Sequence, residues 1–292
     1  MEIIVGKTAG FCYGVKNAVD KTKELVQKQR ETYCLGELVH NKQVTQDLEE
    51  QGLIIINDVE KAKNNVIIRS HGVPKEIYKK AEELNLKVID LTCPNVLKIH
   101  NIVKEYSAKD YYIFIIGQKD HAETIGTVSY CRKNSIILEK EEDVEKAIKN
   151  FKESNLKKLL LVSQTTFSVE KFNKIVKAVE ENIDKNIVFE VKNTICNATS
   201  IRQKETQEIA KQVDLMIIIG GKHSSNTTKL YEIAKKECKN CILIETSEEL
   251  NKNRLKNISK IGIMAGASTP SESINNTVEK LKAGVKELRA KS

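Results

Sequence analysis

Three cysteines sit where a thiol has chemical reach. "TAGFCYGV" carries Cys12, "DLTCPNV" carries Cys93 and "NTICNATS" carries Cys196. Each follows a short apolar run and precedes a helical pattern, so each lies at a strand-to-helix joint. The amides of a helix N-terminus favour negative charge, and thiolates are the ligands that soft metals select. Cys34, Cys131, Cys238 and Cys241 lack such a setting. "CKNC" (238–241) has CxxC spacing but no second pair to complete a zinc site. Seven cysteines, an odd count, argue against a disulfide framework and toward free thiols, metal or catalysis.

The polar residues repeat with the cysteines. Twenty-eight residues beyond Cys12, Cys93 and Cys196 stand His40, His121 and Ser224, each just past an apolar run. Seventy-two residues beyond the last two cysteines stand Thr165 and Ser268, and the comparable polar strand end of the first unit is His71. With five histidines in 292 residues, two of them at one offset point to an internal repeat. Its period, about a hundred residues, is that of a small domain. "GGKHSSNTTKL" brings Ser224, Ser225 and Asn226 to a strand-to-helix turn, and "GASTPSES" brings Ser268 to another. Glycine and hydroxyl residues at such turns suit a phosphate. Glu123, two residues after His121, is a carboxyl placed to relay a proton. His100, inside a helical stretch, reads as structural, and His223 falls one residue before the repeated position.

The elements that must position these residues are legible as alternation. Twelve apolar runs, from "EIIVG" (2–6) to "KIGIMAG" (260–266), alternate with helical patterns. The runs are rich in Ile, Val and Leu without a polar alternation, so both faces of each sheet are covered and the sheets are parallel. The expected organisation is three similar α/β units: 1–92 with Cys12, 93–192 with Cys93, and 193–292 with Cys196. The third unit ends in a helix that packs back on the body. Strand C-termini that face one centre would bring the three cysteines together, since ligands of open α/β sheets bind at that end.

Composition narrows the function. Apolar residues make up 40% and charged residues 30%, and no run approaches a transmembrane length. The start lacks the basic and apolar regions of a secretory signal, so the expectation is a cytoplasmic protein without a membrane partner. The net charge of +8 suits an anionic substrate or an acidic protein partner. Nucleic acid is not expected: there is no dense basic run, and aromatic residues are 5%. Three thiolates suit zinc or an iron–sulfur cluster, and a [4Fe–4S] cluster held by three leaves one iron open for chemistry.

"GFCYGV", "LVHN", "RSHGVP", "TCPNV", "SQTT", "TICNATSIRQ", "KHSSNTTKL" and "GASTP" occur in that order along the whole chain. In these motifs the sequence resembles the iron–sulfur 4-hydroxy-3-methylbut-2-enyl diphosphate reductases of the non-mevalonate isoprenoid route. The resemblance implies three α/β domains in pseudo-threefold arrangement around a central [4Fe–4S] cluster. It implies cluster ligation by Cys12, Cys93 and Cys196, with the open iron taking the substrate alcohol. It implies that His40, His71, His121, Ser224, Ser225, Asn226 and Ser268 hold the diphosphate, that Glu123 delivers the proton, and that Thr165 orients alcohol and relay. Reduced ferredoxin or flavodoxin would supply electrons one at a time, and the products would be isopentenyl and dimethylallyl diphosphate. The family's usual proline is replaced by Ala122, and its frequent asparagine by His223. Two rival readings are a quinolinate synthase-like lyase, which would need cationic clamps at the strand ends, and a non-catalytic phosphate-binding module.

Overall fold

The computed structural model describes residues 1–28, 31–255 and 257–289. Among them lie twelve strands, one in each apolar run, and they form three four-stranded sheets with every pairing parallel. One sheet holds β2 (Thr32–Leu35), β3 (Leu53–Ile56), β4 (Asn65–Ile68) and β5 (Lys87–Asp90) in the order β3-β2-β4-β5. A second holds β6 (Tyr112–Ile116), β7 (Ser135–Leu138), β8 (Lys158–Ser163) and β9 (Val188–Val191) in the order β7-β6-β8-β9. The third combines β10 (Leu215–Ile219), β11 (Cys241–Ile244) and β12 (Lys260–Ala265) with β1 (Glu2–Val5), in the order β1-β12-β10-β11.

The three orders are one topology, provided β1 counts as the fourth strand of the third sheet. That placement differs from the sequential partition at 92 and 192, which assigns residues 2–5 to the first unit. Register explains it: Ile3 faces Ile261 and Val5 faces Ile263, so the chain start completes the edge beside β12. Parallel pairing needs a crossover rather than a short turn, and nothing in local spacing shows which sheet an edge strand joins.

Burial follows the apolar runs. β2, β4, β6 and β10 are buried at every residue, whereas β1 and β9 at the edges are partly exposed. Phe114, Leu159 and Leu161 pack with Phe151, Phe172 and Ile175 from the helices α6 (Val144–Glu153) and α7 (Val169–Asn182). Each such side chain contributes about 1.5–3 kcal/mol when fully buried. The terminal helix α10 (Ser271–Arg289) lays Ile274 and Leu281 against Ile217 and Ile263 of the third sheet.

The chain divides into two compact units. One comprises residues 1–16, 39–48 and 197–292 and contains the third sheet; the other comprises 17–38 and 49–196 and contains the first two. No described helix is long and apolar enough to cross a membrane.

Candidate active site at the strand ends

Each sheet sets its first and third strands side by side while their connections leave in opposite directions. That order opens a crevice beyond the strand C-termini, where α/β proteins bind ligands. Gly36, Gly117 and Gly220 mark equivalent positions at these ends. Their amides donate to the carbonyls of Ile56, Leu138 and Ile244 at 2.8, 3.0 and 2.9 Å. Four residues beyond each glycine stand His40, His121 and Ser224.

The cysteines follow the fourth strands, and one backbone bond recurs at all three. The amides of Cys12, Cys93 and Cys196 donate to the carbonyls of Ala267, Ser70 and Thr165 at 3.1, 3.0 and 2.9 Å. This aligns Thr165 with Ser70 and Ala267, and therefore Thr166, not Thr165, with His71 and Ser268. The count of seventy-two slips by one because the β6-to-β8 connection is a residue longer than β10-to-β12: Ile116 faces Ser163, whereas Ile219 faces Ala265.

In the unit of the first two sheets, α5 (Ala122–Tyr130) begins just past β6, with His121 as its N-cap. His121 Nδ1 accepts the Glu123 amide at 3.2 Å, so in the neutral ring Nε2 carries the hydrogen. The cap forms with Ala122 at the first helical position. Glu123 is 1% exposed. Its Oε1 accepts the Thr165 amide at 2.6 Å and its Oε2 accepts the Thr165 hydroxyl at 2.7 Å. Burial raises the carboxyl from 4.5 to about 7, against the pull of both Thr165 bonds. The His71 ring meets the His121 ring edge-on, with centroids 5.5 Å apart.

The same unit joins two of the cysteines. Cys93 is the N-cap of α4 (Pro94–Ala108), and Asn95, in its first turn, donates from Nδ2 to Cys196 Sγ at 3.2 Å. Sequence spacing gave no sign of Asn95, since a carboxamide donor has no periodicity of its own. His100, on α4, stacks on Tyr130 at 4.3 Å, and burial lowers it to about 4, so it is neutral near pH 7.

In the other unit, Arg202 and Glu205 of α8 (Asn197–Ala210) grip the loop that leads to Cys12. Arg202 Nε donates to the Thr8 carbonyl and Nη2 to the Gly10 carbonyl, both at 2.8 Å. Glu205 accepts the amides of Lys7 and Thr8 at 2.7 and 2.9 Å, and the Thr8 hydroxyl as well. Gly10 has φ 99°, a conformation that favours glycine, and so turns the loop. Neither side chain carried a sequence signal beyond its place in "SIRQKE".

Ser224 caps α9 (Ser225–Glu237) by accepting the Thr227 amide at 3.4 Å. Ser225 and Asn226 are buried in its first turn. Among the described residues, no partner reaches the Asn226 Nδ2 or Oδ1, although the residue is 3% exposed. A buried carboxamide without partners costs stability unless a ligand or water satisfies it. Ser268 Oγ donates to the His40 carbonyl at 3.1 Å, and a Cβ on Gly221 would come within 2.7 Å of the same oxygen. His223 is exposed.

The seven thiols divide by environment. Burial raises Cys34 and Cys241 to about 12 and Cys131 to about 11, and it raises Cys238 as well, so these four stay protonated. Cys12, Cys93 and Cys196 are partly exposed, at strand ends, with their amides already bonded. Cys93 and Cys196 in one unit, and Cys12 in the other, are each a soft donor on a backbone-fixed post, of the kind a thiolate-ligated metal group takes. The strand-end hydroxyl, imidazole and carboxamide groups fit an anion.

A model of the family described as LytB protein matches residues 3–282. A 4-hydroxy-3-methylbut-2-enyl diphosphate reductase of Caldanaerobacter subterraneus subsp. tengcongensis is 42% identical over 289 residues, 97% of each chain. One of Clostridioides difficile is 44% identical over 281 residues, 95% of this chain and 98% of that protein. The solved E-1-hydroxy-2-methyl-but-2-enyl-4-diphosphate reductase of Plasmodium falciparum has a TM-score of 0.87 at 30% identity, over 95% of this chain and 87% of that one. Family model, relatives and fold agree along nearly the whole chain: it belongs to the LytB family of 4-hydroxy-3-methylbut-2-enyl diphosphate reductases.

Proposed function

We propose that this chain reduces 4-hydroxy-3-methylbut-2-enyl diphosphate to isopentenyl and dimethylallyl diphosphate. Two electrons and two protons replace the C–O bond by C–H and release water. Cys12, Cys93 and Cys196 hold a [4Fe–4S] cluster, which when bound supplies the electrons and a Lewis-acidic iron. An acidic one-electron carrier, a reduced ferredoxin or flavodoxin, delivers them in the cytoplasm.

The observation that carries the proposal is the Glu123–Thr165 pair. Oε1 is committed to the Thr165 amide, so a proton on Glu123 resides on Oε2. Protonated Oε2 donates to Thr165 Oγ, and the Thr165 hydroxyl hydrogen must then turn away from the carboxyl. It turns toward the strand-end crevice, where the leaving hydroxyl is held. A carboxyl raised to about 7 has a useful protonated fraction at neutral pH and gives its proton up readily. His40, His71, His121, Ser224, Ser225, Asn226 and Ser268 bind the diphosphate. Asn226, buried with no partner among the described residues, has both of its polar atoms open to it.

Anaerobic turnover with the allylic diphosphate and reduced viologen tests the proposal. Water release with both isomeric products is expected; iron-free protein or failure to turn over refutes it.

A further inference from the structure

Asn95 is not needed to start its helix. Cys93 is the N-cap and Pro94 opens α4, so the Asn95 side chain is free for another task, and it spends its Nδ2 on Cys196 Sγ at 3.2 Å. Both ends of the contact are fixed by backbone. The Cys93 amide is bonded to Ser70 and the Cys196 amide to Thr165. Proline sets φ at the intervening position, so the carboxamide has a determined origin. Of its two polar atoms only Nδ2 can donate, and the sulfur accepts.

We infer that Asn95 sets the reduction potential of the metal centre through its N–H···S bond to Cys196. The inference rests on the reading above, in which Cys196 is a cluster ligand. Reduction adds negative charge that the ligand sulfurs share. A donor to one of them is therefore stronger in the reduced state, and it shifts the couple toward reduction. Asn95 is a positioning and tuning residue; it touches a ligand, not the substrate.

The test is a redox titration of the anaerobic holoenzyme, followed by electron paramagnetic resonance, after iron per chain has been measured. Asn95→Leu is expected to keep its iron and to lower the reduced-to-oxidised ratio at fixed poise about tenfold, about 59 mV for a one-electron couple. Asn95→Asp, of the same shape but with no hydrogen to give at neutral pH, is expected to shift at least as far in the same direction. In electron–nuclear double resonance, an exchangeable proton coupled to the reduced centre is expected in the wild type and absent from both variants. Wild-type potentials in both iron-loaded variants would overturn the inference and leave the cluster reading standing. A wild-type protein without iron would overturn that reading, and the inference with it.

Discussion

Replacing Glu123 by glutamine separates proton donation from burial. The carboxyl is raised from 4.5 to about 7, so between those values the folded protein binds more protons than the unfolded chain. The contribution of Glu123 to stability is then fully present below about pH 4.5 and is lost as pH rises through about 7. At 1.36 kcal/mol per unit, the loss amounts to about 3 kcal/mol. Glutamine preserves the geometry: its oxygen can accept the Thr165 amide and its nitrogen can donate to the Thr165 hydroxyl. It cannot ionise. The unfolding free energy of Glu123→Gln, measured by urea denaturation against the wild type at each pH, is therefore expected to gain about 3 kcal/mol between about pH 4.5 and pH 8. Taking the difference between two proteins cancels every other titrating group. Turnover is expected to fall by about 10²–10⁴, the range for loss of a general acid. In the wild type the rate should decline above about pH 7, because the protonated form is the active one. Parallel stability curves for the two proteins, or near-wild-type turnover in the variant, would refute the buried-acid argument.

Serine at Cys12, Cys93 or Cys196 is expected to abolish iron retention on anaerobic purification, whereas serine at Cys34 or alanine at Cys241 keeps it; colorimetric iron per chain distinguishes the two sets. Asn226→Ala removes a buried carboxamide that no described residue satisfies, so thermal stability should hold while KM for the diphosphate rises about ten- to hundredfold, the worth of a hydrogen bond to a charged group. Arg202→Ala frees the Thr8 and Gly10 carbonyls; iron content should fall, and alkylation of Cys12 in the iron-free chain should quicken relative to Cys93 by mass spectrometry. Unchanged Cys12 reactivity would show that the loop does not depend on the clamp.

The twelve strands were readable because parallel sheets covered on both faces leave continuous apolar runs, and those runs end where glycine or a polar residue begins. The cysteine joints were readable because each thiol stands between a strand and a helix signal. Other features had no such signature. The sheet that β1 joins is decided by register with β12, two hundred and fifty-eight residues away in the chain, where Glu2 faces Lys260. The one-residue slip at Thr165 arose because a constant offset assumes equal connections, and these differ in length. Arg202, Glu205 and Asn95 act by directed hydrogen bonds to backbone or sulfur. Such bonds depend on three-dimensional approach, and composition carries no trace of them.

The place of β1 also explains how one cysteine position can serve three units. A unit that began with its own first strand and ended with its fourth would leave its cysteine at the terminus of its own sheet. Here the chain enters on a fourth strand, so Cys12 ends the third sheet but leads into the helix before the first. Cys93 ends the first and leads into the second, and Cys196 ends the second and leads into the third. Every cysteine therefore belongs covalently to two successive modules, and each takes the same backbone bond from the sheet it leaves. A displaced edge strand would shift its cysteine along with it. Substitutions that weaken β1 pairing, such as Ile4→Pro, at a position whose amide lies on the side of β1 that bonds to β12, as those of Glu2 and Gly6 do, should thus act on Cys12 before they act on the fold as a whole. Faster Cys12 alkylation at unchanged far-ultraviolet circular dichroism would be the sign of that order; simultaneous loss of both would contradict it.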